Sequence, residues 1–201
     1  MSAYPHRVTG RRFTGAMREF AALIVVLLIA GCATPPPAAQ PVPVDPLRIS
    51  NPKPGFTLAL RPERTPLHIG DRLQLTLQAS ADSYLNLYFI STSGKTGQLL
   101  TNYPVRANEA VTFPPAGGKK LQYALAAPTG AETLVLAATR QPLNLFGRAD
   151  IKNLKKPRTP VAEFNLSGPQ LLSRLRGALH RRPPADWNAY GVQLPLLPAA
   201  P

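Results

Sequence analysis

The chain has 201 residues, 23 of them Lys or Arg against 10 Asp or Glu, for a formal net charge of +13. That length suits one domain of ordinary size with some extended material, and 24 prolines against 16% charged residues place stretches beside it that cannot be helical. A single cysteine excludes an internal disulfide, so the core alone must hold the fold.

The first 31 residues carry Arg7, Arg11, Arg12 and Arg18 against Glu19, and from residue 32 onward 19 basic and 9 acidic residues leave +10. Such a balance favours anionic partners. After the basic start comes an apolar run of ten residues, Ala21 to Ala30, followed by Gly31-Cys32. A membrane-crossing helix needs roughly 20 apolar residues, so this run fits the central part of a signal peptide. Leu28-Ile29-Ala30-Gly31-Cys32 resembles the lipobox of bacterial lipoproteins. The resemblance implies a diacylglyceryl group on the thiol of Cys32, cleavage between Gly31 and Cys32, and acylation of the new amine. A start at Met17 would give the same mature product. Residue 33 is Ala rather than the Asp that retains enteric-type lipoproteins at the inner membrane, which implies the outer membrane, with the domain in the periplasm.

Residues 1–31 are therefore expected to be a signal peptide and residues 32–55 a tether. The latter holds Pro35-Pro36-Pro37, Pro41, Pro43, Pro46, Pro52 and Pro54. At about 3.1 Å per residue, polyproline II would extend it roughly 60 Å. A β-sandwich domain is expected over 56–195 and a Pro/Ala-rich tail over 196–201.

Strands are predicted in chain order at Phe56 to Leu60 and at Arg72 to Gln78, where Leu73, Leu75 and Leu77 alternate with polar residues. The run Tyr84 to Ile90 follows, with Leu85, Leu87 and Phe89 on one face and Tyr84, Asn86 and Tyr88 on the other. The polar connection Ala79 to Ser83 suits a hairpin between them. Further strands are expected at Gln98 to Asn102, Ala110 to Phe113, Leu121 to Ala126, Thr133 to Thr139, Val161 to Leu166 and Asn188 to Leu194. Ser93-Gly94-Lys95, Pro115 to Gly118 and Pro128-Thr129-Gly130 supply turns. From Pro169 to Leu179 the period changes to helical, with Leu171, Leu172, Leu175 and Leu179 on one face and Ser167 or Gly168 as cap. The expected class is mainly β: an antiparallel sandwich or open barrel of about 7–9 strands with one C-terminal helix.

His68-Ile69-Gly70-Asp71-Arg72, Tyr84 to Tyr88, Ser93-Gly94-Lys95 and Leu99-Leu100-Thr101-Asn102 together resemble a domain of unknown function found in many bacterial lipoproteins and appended to bacterial kinases and proteases. The likeness spans about residues 56–140, with Trp187 before a terminal strand also similar. It implies an extracytoplasmic accessory or binding module and brings no catalytic residues with it.

Little in the chain reads as chemistry. Gly70-Asp71 suits a turn, since glycine admits a positive φ and Asp can accept from a nearby backbone N–H. His68 stands without a companion carboxylate pattern, and past residue 32 the only other histidine is His180. No Gly-x-Ser-x-Gly elbow, phosphate loop or dinucleotide fingerprint is present. An enzyme, a cofactor and a metal are therefore not expected, an unrecognised hydrolase being the remaining alternative. The strongest candidate surface is basic: Arg140, Arg148, Lys152, Lys155, Lys156, Arg158, Arg174, Arg176, Arg181 and Arg182 face only Asp150 and Glu163. It reads either as a solvated face or as a surface for phosphate- and carboxylate-bearing envelope polymers, lipopolysaccharide or peptidoglycan. The expected partners are the membrane, through lipidated Cys32, and an envelope protein or anionic polymer, while the export signal argues against nucleic acid.

Overall fold

The computed structural model describes residues 47–115, 125–126, 128–152 and 161–199. Among them are nine strands: β1 (Leu58–Pro62), β2 (Leu67–His68), β3 (Leu75–Ala79), β4 (Ser83–Ile90), β5 (Thr96–Val105), β6 (Ala110–Phe113), β7 (Gly130–Thr139), β8 (Ala162–Glu163) and β9 (Trp187–Leu197), with helix α1 (Gly168–His180) between the last two. They form a three-stranded sheet, β1-β3-β6, and a six-stranded sheet, β2-β9-β7-β4-β5-β8. Every pairing is antiparallel except that of β2 with β9.

Period-two alternation builds the sandwich. Leu75 and Leu77 of β3 and Val111 and Phe113 of β6 share one core with Leu85, Leu87 and Phe89 of β4 and Leu134 and Leu136 of β7. A fully buried leucine contributes about 1.5–3 kcal/mol, so the doubled row of large side chains is the main stabilising element. The opposite face of the large sheet is also covered: Tyr88, Val135, Ala137 and Ala189 pack with Leu171, Leu175, Ala178 and Leu179 of α1. This second layer is why β4 and β7 are buried on both faces near their centres.

The helix begins where its sequence directs. Ser167 is the N-cap. Gln170 Oε1 accepts from the Ser167 N–H at 2.8 Å and from its hydroxyl at 3.1 Å, and Pro169 occupies the first turn.

Four expectations change. The segment Ala79 to Ser83 is not a hairpin: β3 and β4 lie in different sheets, and their leucine faces meet across the core rather than side by side. Residues 47–55 are not free tether, because Leu47 and Ile49 are buried with α1 and Asn51 Nδ2 donates to the carbonyls of Pro184 (2.7 Å) and Trp187 (2.6 Å). Leu196 is buried in β9, so the terminal tail starts later than 196. Finally, β2 arises from two residues that carry no periodic signal. Residues 121–124 of one expected strand lie outside the described residues; Leu125 and Ala126 are described and are not in a strand.

Candidate functional site

The glycine–aspartate motif folds as a turn. Gly70 sits at φ 94°, a conformation glycine adopts without strain. Asp71 Oδ2 accepts the His68 N–H at 2.8 Å, the Asp71 N–H returns to the His68 carbonyl at 3.0 Å, and the Gly70 N–H reaches the Leu125 carbonyl at 2.9 Å. His68 Nδ1 lies 3.7 Å from the same carboxylate, on the surface. The motif thus leads the chain out of β2 towards β3.

Asn86 of the Tyr84 to Tyr88 run and Asn102 of the Leu99 to Asn102 run join in a hydrogen-bonded staple. Asn86, fully buried on β4, accepts through Oδ1 from the Asn102 N–H (3.0 Å) and from Gln98 Nε2 (3.0 Å). Its Nδ2 donates to Asn102 Oδ1 at 3.1 Å, which also accepts the Leu143 N–H at 2.7 Å. Asn102 Nδ2 then donates to Asn144 at 2.9 Å. Asn102 has φ 45°, a backbone state that asparagine tolerates better than most residues. The register of β4 against β5 shifts beside this point, between Leu85 and Leu87. The network holds that irregularity and fastens the segment after β7 to the sheet.

The basic surface is partly occupied by its own chain. Arg174 pairs with Asp150 at 2.6 Å, and Arg176 donates to the carbonyls of Leu47 and Arg48 at 3.0 Å each. Arg182 Nη2 reaches the Pro142 carbonyl at 3.1 Å. Arg140 donates to the Asp82 carbonyl at 3.2 Å and lies over the Phe56 ring, 5.3 Å from its centroid. The Gly147 N–H, and after it Arg174, hold the Asp150 carboxyl below its ordinary value. Arg148, Lys152 and Arg181 are exposed and make no side-chain hydrogen bond among the described residues. Lys155, Lys156, Arg158, Gly31 and Cys32 lie outside the described residues.

A feature without a sequence motif lies at the end of the sandwich where the β3–β4 and β5–β6 connections meet the end of β7. Asp82, Ser83, Tyr84, Arg106, Glu109 and Arg140 line an open cavity of about 410 Å³ there. Ser83 is 4% exposed, and its hydroxyl has no hydrogen-bond partner among the described residues. The residues that line this cavity come from three separate segments between Asp82 and Arg140, so no local pattern could mark them.

Among the described residues no group of three His, Cys, Asp or Glu is placed to hold a metal, and no helix is long and apolar enough to cross a membrane. No curated protein matches the chain, and no solved structure does. Residues 67–142, which run from the glycine–aspartate turn through the asparagine staple to the end of β7, match the family described as a domain of unknown function (DUF4384).

Proposed function

We propose that this chain is a bacterial envelope lipoprotein, anchored through Cys32, whose β-domain serves as a non-enzymatic binding or accessory module for an envelope protein assembly. The observation that supports this reading is the way the segment following the tether is fastened to the domain. Leu47 and Ile49 are buried against α1, Arg176 clamps the Leu47 and Arg48 carbonyls, and Asn51 bonds the start of β9. A domain merely released from the membrane needs no such fastening. A module presented at a set orientation gains from it, because order imposed in advance lowers the entropy cost of docking. With the chain packed from Leu47 onward, at most 15 residues remain for the tether, a reach of roughly 45 Å in polyproline II.

The exposed cations Arg148, Lys152 and Arg181 favour a second reading, direct binding of an anionic envelope polymer. Retention of the full-length protein, purified in detergent, on isolated peptidoglycan sacculi and on lipopolysaccharide at 50 mM and 300 mM salt separates the two. The protein-partner reading predicts no retention above a neutral control at either salt. Retention at low salt that is lost at high salt and in Arg148→Glu/Arg181→Glu would establish the polymer reading instead.

A further inference from the structure

We propose that the domain docks on the bilayer that carries its own anchor, laying the face built by α1 and its two flanking segments on anionic phospholipid headgroups. The inference rests on the reading that Cys32 is the anchor, and adds to it the surface that meets the membrane and the class of lipid it meets.

Three observations carry it. The first is where the chain enters the domain. Leu47 and Ile49 are buried in the layer that α1 builds over the large sheet, and Arg176 holds the Leu47 and Arg48 carbonyls at 3.0 Å each. The tether therefore ends on this face and not on the small sheet at the opposite side. At most 15 residues join it to Cys32, so the face stays within roughly 45 Å of the lipid. Confinement at that range gives an effective concentration on the order of millimolar, at which a weak contact suffices.

The second is the distribution of charge. α1 is flanked by the 47–53 segment, through Arg176, and by the 143–152 segment, through Arg174 and Asp150. Residues 47–53, 143–152 and 161–187 together hold eight Lys or Arg against Asp150, Glu163 and Asp186. The first turn of α1 has no acidic residue, and nor has the rest of the helix. The three strands of the small sheet, on the far side of the sandwich, hold a single charged residue, Arg61. A bilayer with anionic lipid presents a plane of negative charge, and a molecule with one positive face is turned by that field until the face meets it.

The third is that these cations are available. Arg48 and Lys53 on one flank, Arg148 and Lys152 on the other, and Arg181 at the end of α1 are exposed and make no side-chain hydrogen bond among the described residues. Asp150, the acid set among them, is already paired with Arg174 at 2.6 Å. A plane of headgroups needs exposed cations and no cavity, because each long side chain reaches its own phosphate.

The test exploits the single cysteine: once Cys32 is acylated, an introduced cysteine is the one free thiol. Ser173→Cys, exposed on α1, and Thr76→Cys, exposed on the outer side of the small sheet, each receive a fluorophore. The acylated protein, checked by intact mass, is reconstituted in phosphatidylcholine vesicles with and without about 30% phosphatidylglycerol, and quenching by a headgroup-spin-labelled lipid is read. With phosphatidylglycerol at about 50 mM salt, the proposal predicts quenching at position 173 at least about threefold that at position 76. That ratio should fall by about half or more without phosphatidylglycerol, at about 300 mM salt, and in Arg148→Glu/Arg181→Glu. Equal quenching at the two positions in acylated protein overturns the docking and leaves the anchor standing. A ratio that survives both the loss of phosphatidylglycerol and the charge reversal overturns it too, since the tether alone would then orient the domain. A wild type that carries no acyl chain overturns the anchor and the docking together.

Discussion

Asn86→Ala probes the link between the asparagine network and the fold. The substitution removes the acceptor of the Asn102 N–H and of Gln98 Nε2, and the donor to Asn102 Oδ1, at a fully buried position. Leaving the Asn102 N–H unpaired costs about 1–3 kcal/mol. A void of a few tens of Å³, at about 24 cal/mol per Å³, adds roughly 1 kcal/mol. The expected loss is about 2–4 kcal/mol, which for a domain of this size lowers Tm by about 5–15 °C. Guanidinium unfolding followed by fluorescence suits the measurement, since Trp187 is the only tryptophan and is buried. The partner substitution Asn102→Ala should be non-additive with it by about 1 kcal/mol or more, because both break one network. Asn144→Ala, at the exposed end of that network, should cost under about 1 kcal/mol. A loss below about 1 kcal/mol for Asn86→Ala, or strict additivity of the pair, would refute the view that the asparagine network serves as a staple.

Other consequences follow from the same structure. Burial pushes the Tyr88 phenol well above its ordinary value. Above about pH 10 the unfolded chain therefore releases a proton that the folded chain keeps, and this group's contribution to the fall in stability approaches about 1.4 kcal/mol per pH unit, a contribution that Tyr88→Phe removes in unfolding curves at pH 10–12. The Tyr88 hydroxyl has no partner among the described residues, so Tyr88→Phe should also equal or exceed the wild type in stability at pH 7. Asp150 is depressed by the Gly147 N–H and by Arg174. The small stability this contributes is present above the ordinary carboxylate range and lost as pH falls through the lowered value, and Arg174→Gln should move the Asp150 titration, read by carboxyl NMR, part of the way back up. A methyl group added at Gly191 would collide with Leu47, so Gly191→Ala should loosen residues 47–51, cost about 1–3 kcal/mol and expose that segment to limited proteolysis.

Elements whose signal is periodic were legible in the sequence. The leucines of β3 and β4, the apolar positions of β7 and the 171-175-179 spacing of α1 each state which face is buried. Alternation does not state which neighbour covers that face. The segment Ala79 to Ser83 therefore read as a hairpin although it crosses between sheets, the same leucines being satisfied either way. Leu47 and Ile49 are two apolar residues in a proline-rich stretch, too few to form a pattern, and only the groove beside Gly191 explains their burial. The basic run was visible as charge, but the use of Arg176 and Arg182 as clamps on backbone carbonyls depends on tertiary neighbours more than 35 positions away. The loop-end cavity depends on distance alone: Asp82, Glu109 and Arg140 meet only once β4, β5 and β7 pair.

The central claim is the anchor, and the most direct measurement is intact mass with membrane fractionation of the full-length protein expressed in a bacterium, wild type beside Cys32→Ser. The account predicts a wild type cleaved before Cys32, heavier by its acyl chains and recovered with the outer membrane, and a variant that is uncleaved and unacylated. Wild type recovered unmodified in the soluble fraction would contradict it.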